Sequence, residues 1–191
     1  MLLLAPKSAA RVSRLLAAAS AAGLLTGGLA LAAPTTASAA TLVATCSSTS
    51  TDSFAQPLDP GSTDNPQSET YRGTGTITCL DVGGKLLARG TTKFSGSIAA
   101  AECTGDETSG SYTVEVDWSD GTRTTGTYTK FDELDADGTG AVTISGTTDV
   151  GSTKFAGYAS TITGTSSGTG CGTQAGESSK SQTSVVTFSK L

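Results

Sequence analysis

The chain has no histidine, a single tryptophan and only nine other aromatic residues among 191. Without histidine it lacks the commonest general base and the usual nitrogen ligand of zinc. Charge is sparse, and its sign is wrong for nucleic acid. Lys and Arg number 12 against 17 Asp and Glu, a net −5, whereas phosphate recognition rests on clustered cations. The length suits one compact domain and argues against a multidomain enzyme.

No acidic residue occurs before Asp52, and the first forty residues read as an export signal. Lys7, Arg11 and Arg14 form a positive leader, Leu15 to Ala33 is apolar and rich in Ala and Leu, and Ala37-Ser38-Ala39 follows. Small residues at Ala37 and Ala39 suit a signal peptidase, which places the cut between Ala39 and Ala40. The expected organisation is a signal peptide over 1–39 and one β-domain over 40–191. The apolar run is about long enough to span a bilayer, but Gly23, Gly27 and Gly28 interrupt it and the cleavage box follows at once. No lipobox cysteine follows it either. Export sets an oxidising surrounding, so Cys46, Cys79, Cys103 and Cys171 read as two disulfides with three possible pairings. After cleavage nine basic and 17 acidic residues remain, a net −8. The one asparagine, Asn65, precedes Pro66, so there is no glycosylation sequon.

What the domain does have is Thr, Ser and Gly: 31, 21 and 21 of its 152 residues. Thr favours strands and Gly disfavours helices. No stretch carries a helical apolar stripe, whereas alternation recurs. Along Ser111–Trp118 every second residue is apolar, which puts Tyr112, Val114, Val116 and Trp118 on the core side. Tyr71, Gly73, Gly75, Ile77 and Cys79 share a second inward face; Leu86, Ala88, Gly90, Thr92, Phe94, Gly96 and Ile98 share a third. Val142 with Ile144 and Val186 with Phe188 mark further strands. Turn signals fall at Gly83-Gly84, Gly105-Asp106, Asp120-Gly121, Asp137-Gly138 and Val150-Gly151. Pro57, Pro60, Gly61 and Pro66 make the stretch from Gln56 to Ser68 a surface loop, and Gly164 to Gly176 reads as another. The fold expected is all-β: an antiparallel meander of about eight strands closed into a β-barrel, with an immunoglobulin-like β-sandwich as the alternative. Closure hides edge strands, and inward glycines let coiled strands approach. Gly90–Ser97 is echoed by Gly151–Tyr158, which reads as two equivalent strands.

Leu, Ile, Val, Phe, Tyr and Trp together make up only 29 residues of the domain, a thin core for its size. Cross-links should therefore matter. Cys46 shares a face with Leu42 and Ala44, and Cys79 with Gly75 and Ile77, so neighbouring strands would bring these two sulfurs together. Cys103 would then bridge to Cys171. Each ring would stabilise by roughly 3.5–4.5 kcal/mol in the loop-closure picture.

Candidate chemistry is meagre. Glu133, Asp135 and Asp137 resemble the first half of a calcium loop, but Ile144 stands where a late bidentate Glu belongs. The three read best as an acidic turn, with a weak cation site as the other possibility. Trp118 ends an inward row and reads as core, ahead of a turn at Ser119-Asp120-Gly121. Glu115 and Asp117 share a face, but a solvated one without a cleft. No histidine activates the abundant serines, and neither G-x-S-x-G nor S-x-x-K occurs. No catalytic residue, cofactor or committed metal site is expected.

The signal segment, Thr41–Cys46, Gly73–Cys79, Trp118–Thr122 and Lys154–Gly157 together resemble a group of small secreted Thr/Ser/Gly-rich, four-cysteine all-β proteins of actinobacteria. The resemblance covers nearly the whole domain and implies a secreted β-domain with two disulfides and no catalytic residues. Gly-Thr-Tyr-Thr at Gly126–Thr129 is similar to avidin-type barrels, but the several tryptophans of such a ligand pocket are absent. The functional expectation is a secreted, non-catalytic binding module. Its partner would be a protein, a small ligand or a cell-envelope component, with neither nucleic acid nor membrane involved after signal removal. The alternatives are an extracellular protease inhibitor presenting the loop beside Cys171, and a carboxylate-based hydrolase.

Overall fold

A computed structural model describes residues 40–62, 65–103, 105–134 and 139–190. The expected signal segment, Ala39 included, lies outside the described residues; Ala40 is the first of them. Eight strands follow in order: β1 (Thr41–Leu58), β2 (Gln67–Asp81), β3 (Leu86–Ala101), β4 (Gly105–Trp118), β5 (Arg123–Leu134), β6 (Thr139–Thr148), β7 (Ala159–Gly168) and β8 (Glu177–Lys190). Each pairs antiparallel with the next, and β8 pairs with β1, so the meander closes into a barrel and the sandwich alternative falls away. Eight strands enclose a space just wide enough for side chains to fill.

The alternation read from the sequence sets which face is which. Tyr112, Val116 and Trp118 are buried from β4, as are Tyr71, Ile77 and Cys79 from β2. The outward rows are Thr and Ser, joined on β3, β4 and β5 by Lys93, Glu115, Asp117 and Arg123. Two inward glycines are required by close approach. A Cβ on Gly73 would run into the Phe94 ring and lie 2.7 Å from the Thr51 carbonyl oxygen; one on Gly96 would lie 2.5 Å from Tyr112 Cβ and 2.8 Å from the Tyr71 hydroxyl. Small residues at these points let large rings cross the lumen.

Several local expectations need correction. Gly151–Tyr158 is no strand: it forms the β6–β7 connection, while its echo Gly90–Ser97 lies within β3. In the connection Phe155 adopts a left-handed φ of 52°, which turns its ring inward. Gly105-Asp106 opens β4 instead of making a turn, Gln56–Leu58 still belongs to β1, and Gly164–Gly168 belongs to β7. Leu86 and Leu42, read as inward, are exposed. Register shifts between Cys79 and Leu80 and between Leu42 and Ala44 reverse the facing at those points.

Candidate functional site

The meander gives the barrel two ends. The lower carries the β2–β3, β4–β5 and β6–β7 connections, the start of β1 and the end of β8; the upper carries the remaining connections. Each has its own core cluster. Around the lower end, Cys46, Cys79, Trp118, Phe155, Val186 and Phe188 pack together. Cys46 and Cys79 are cross-strand partners joined by a disulfide, as their shared inward parity implies. Phe155 stacks on Phe188 with ring centroids 4.4 Å apart and meets Trp118 edge-on at 5.5 Å. Trp118 is buried, and its Nε1–H donates to Thr124 Oγ1 at 2.8 Å. Lys154 holds the β6–β7 connection over the opening: its ammonium lies 2.5 Å from Asp120 Oδ2 and 5.6 Å above the Trp118 ring. Hydrogen bonds from Lys154 and Thr122 hold the Asp120 carboxyl well below the usual carboxylate range.

The upper cluster includes Phe54, Leu58, Ile98, Cys103 and three tyrosines, Tyr71, Tyr112 and Tyr128. Tyr112 and Tyr128 stack at 5.4 Å. Burial raises the Tyr128 phenol above its ordinary value, against a hydrogen bond with Ser160 that lowers it. Between the clusters lies a cavity of about 50 Å³, bordered by Ser48, Asp52, Thr92, Ser184 and the tyrosines. That is room for a few waters and far below the several hundred Å³ of a small-molecule site.

Buried charges, absent from the sequence-based expectations, occupy the upper end. Asp52 and Lys180 are cross-strand partners, and both are buried. The Lys180 ammonium lies 4.0 Å from Glu177 Oε1 and 5.4 Å over the Phe54 ring. Glu69 Oε1 accepts from the amides of Ala55, Gln56 and Thr70 at 2.8, 3.2 and 2.9 Å, steadying the irregular end of β1. Asp59, at a left-handed φ of 48°, accepts from Asn65 N at 3.1 Å and from Cys103 N at 2.6 Å. Its carboxylate and the thiols of Cys103 and Cys171 place one ligand atom each within 4.8 Å of one another. These two cysteines come together as expected but stand as free thiols. Parity would have found Asp52 and Lys180: Cys46, Ser48, Ser50, Asp52 and Phe54 alternate inward along β1, and Phe188, Val186, Ser184, Gln182 and Lys180 along β8.

Of the other candidates, Glu115 and Asp117 sit on the outer wall in ion pairs. Lys93 lies 3.3 Å from Asp117 Oδ2, and Arg123 lies 2.8 Å from Asp117 Oδ1 and 3.2 Å from Glu115 Oε2. Desolvation pushes the Asp117 carboxyl up, but hydrogen bonds from Arg123 and Lys93 outweigh it and hold it low. Glu133 falls in β5, while Asp135 and Asp137 lie outside the described residues, as does the Glu133 side chain.

One surface stands out. Seven large apolar side chains are exposed among the described residues, and six belong to the lower end: Leu42, Leu80, Val82, Leu86, Leu87 and Val150. Four of these lie in the single hairpin that joins β2 to β3, where Leu80 and Leu86 are cross-strand partners and Val82 is 74% exposed at the turn. The turn is held by Asp81, whose Oδ1 accepts from Gly83 N and Lys85 N at 2.9 Å each. The hairpin carries the exposed cations Lys85 and Arg89, and the exposed Lys190 ends β8 at the same end of the barrel. None of the three enters an ion pair among the described residues. Of the acids of the same end, Asp117 and Asp120 are paired with Arg123 and Lys154, while Asp81 accepts from backbone amides and Asp149 from the Thr125 hydroxyl at 2.6 Å, and both keep their charge. No helix among the described residues is long and apolar enough to cross a membrane. The chain matches no protein-family model, no curated protein and no solved structure.

Proposed function

We propose that this is an exported, non-catalytic β-barrel that docks by its lower end onto the anionic lipid face of the cell envelope. The reading departs from the sequence-based expectation that no membrane is involved after signal removal, because the apolar hairpin was not legible there. The observation that carries it is the presence, at one end of an acidic chain, of exposed aliphatics together with exposed cations that enter no ion pair among the described residues. A contiguous apolar patch on a soluble domain marks an interaction surface. The fringe of Lys85, Arg89 and Lys190 selects a negative one, at about 1 kcal/mol per cation close to anionic lipid. Insertion of Val82 and Leu86 adds the transfer of their exposed area from water, at roughly 25 cal/mol per Å². The small lumen supports a role played on the outside of the barrel, whose outward rows among the described residues are mostly Thr and Ser.

The test is co-sedimentation of the secreted protein with vesicles of phosphatidylcholine alone or mixed with phosphatidylglycerol. Binding is expected to the mixed vesicles only and to weaken with salt. Val82→Asp with Leu86→Asp, both at solvent-facing positions, should reduce it by about tenfold or more, equivalent to ~1.4 kcal/mol, with circular dichroism unchanged. Absence of binding to the mixed vesicles, or binding indifferent to these substitutions, overturns the reading.

A further inference from the structure

We infer that Cys103 and Cys171 are the two halves of a second disulfide, open to exchange from the Cys171 side, at the end of the barrel opposite the docking hairpin. The inference stands apart from the docking reading. It starts from how the two sulfurs are brought together. Cys103 lies in the β3–β4 connection and Cys171 in the β7–β8 connection, and each is also held by contacts of its own. The Cys103 amide donates to Asp59 Oδ2 at 2.6 Å, and its thiol points to the Leu58 carbonyl oxygen at 3.9 Å. The segment around Cys171 is a pair of turns, with Thr173 N donating to Gly170 O at 3.0 Å and Gly176 N to Thr173 O at 3.1 Å. It is tied to the β1–β2 connection by Gly61 N, which donates to Thr173 O at 2.7 Å. The sulfurs thus come within 4.8 Å without a bond between them. Such prior placement is what cross-linking needs in order to proceed without moving the backbone far.

The same cluster, with Asp59 as third donor, could be read as a metal site, and two features weigh against that. Both Asp59 oxygens already accept a backbone amide. A bound metal would also hold both sulfurs permanently as thiolates in the buried site, whereas disulfide exchange needs each only in passing. Burial pushes the Cys103 thiol far above its ordinary value, and the Cys171 neighbour and the charges of Glu177 and Asp59 push the same way. A disulfide removes both protons and places no charge in the buried site.

The chemistry balances with an external disulfide as oxidant, a small-molecule disulfide or the disulfide of an export-compartment oxidoreductase. The Cys171 sulfur, the only one of the four that is not fully buried, attacks it. One thiol is expelled and a mixed disulfide stays on Cys171. The Cys103 sulfur attacks that bond, gives up its proton and expels the second thiol. In sum, two cysteine thiols and one external disulfide become one protein disulfide and two external thiols. Reduction runs the same path backwards and meets the same asymmetry. Cys46 and Cys79 are 1% and 0% exposed, so a reducing thiolate reaches the Cys103–Cys171 bond first.

The experiment uses the secreted chain, or chain refolded in a glutathione redox buffer, with alkylation and peptide mapping before and during graded reduction. The expected result is no alkylatable thiol at the outset and a peptide pair joining Cys103 to Cys171. That pair should open on the order of tenfold faster than Cys46–Cys79 as dithiothreitol is raised. Three results overturn the inference: Cys103 and Cys171 recovered as free thiols after oxidation, a zinc ion retained by the unmodified pair in native mass spectrometry, or prior opening of Cys46–Cys79.

Discussion

At the lower end of the barrel, closure is made by rings and a covalent link: Phe155 on Phe188, Trp118 against Phe155, and the Cys46–Cys79 disulfide beneath them. At the upper end it is made largely by carboxylates. Glu69 gathers three backbone amides, Asp59 joins the β1–β2 connection to Cys103, and Glu177 faces Lys180. The difference is not one of rings, since Phe54, Tyr71, Tyr112 and Tyr128 pack at the upper end too. It lies in the connections, whose buried amides need acceptors because an unpaired buried N–H costs as much as a lost hydrogen bond. Acidic side chains turned inward supply them. The lower end can then afford to leave Val82, Leu86 and their neighbours on the outside.

If the upper end depends on paired charge, breaking the pair should have the largest effect. Lys180→Met takes the ammonium from beside both Glu177 and Asp52 and leaves two buried carboxylates, and should cost about 3–5 kcal/mol in urea unfolding. Glu177→Ala takes one buried carboxylate from beside Lys180 while Asp52, its cross-strand partner, stays in place, and should cost less, about 1–3 kcal/mol. Equal costs for the two proteins would mean that shape, not charge, holds this end. At the lower end the matching change is Phe155→Ala, which takes one ring out of the stack. It should cost about 3 kcal/mol by the same measurement and leave the docking hairpin in place. A loss under 1 kcal/mol would show that the β6–β7 connection rests on its hydrogen bonds, chiefly those of Thr148 Oγ1 with Phe155 O and Tyr158 N.

The strands were legible because alternation is a strong signal when Thr and Ser fill every outward position. Tyr112 to Trp118 and Tyr71 to Cys79 are the clearest cases, and the Cys46–Cys79 link followed from parity alone. What escaped was wherever the period of two breaks. Leu42 and Leu86 belong to apolar rows by counting, but bulges beside them turn both outward, Leu86 within the hydrophobic hairpin and Leu42 on β1. Phe155 matched Phe94 in its neighbours, and only the left-handed turn at its own position separates a plug from a strand. Asp52, Glu177 and Lys180 went unremarked for a different reason. Charge is ordinarily a mark of the surface, so the inward parity of Asp52 and Lys180 along β1 and β8 was outweighed by their type.

The smallest effect concerns acid, and it separates the ends by pH. Asp120 titrates well below an ordinary aspartate because Lys154 and Thr122 donate to its carboxylate. A carboxyl whose value is depressed on folding stabilises the fold above its unfolded value, about 3.9, and that contribution is lost as pH falls through the lower folded value. Lys154→Met keeps the apolar stem near Trp118 and removes the ammonium. The variant should therefore be slightly less stable than the parent at neutral pH, and the gap should close as both are taken below about pH 4. Trp118 fluorescence reports it, because the indole lies under the Lys154 side chain. A gap that persisted unchanged into strong acid would assign the role of Lys154 to its packing on the indole. In that case the lower end would be sealed by apolar contact alone, and the contrast with the carboxylate-built upper end would be sharper still.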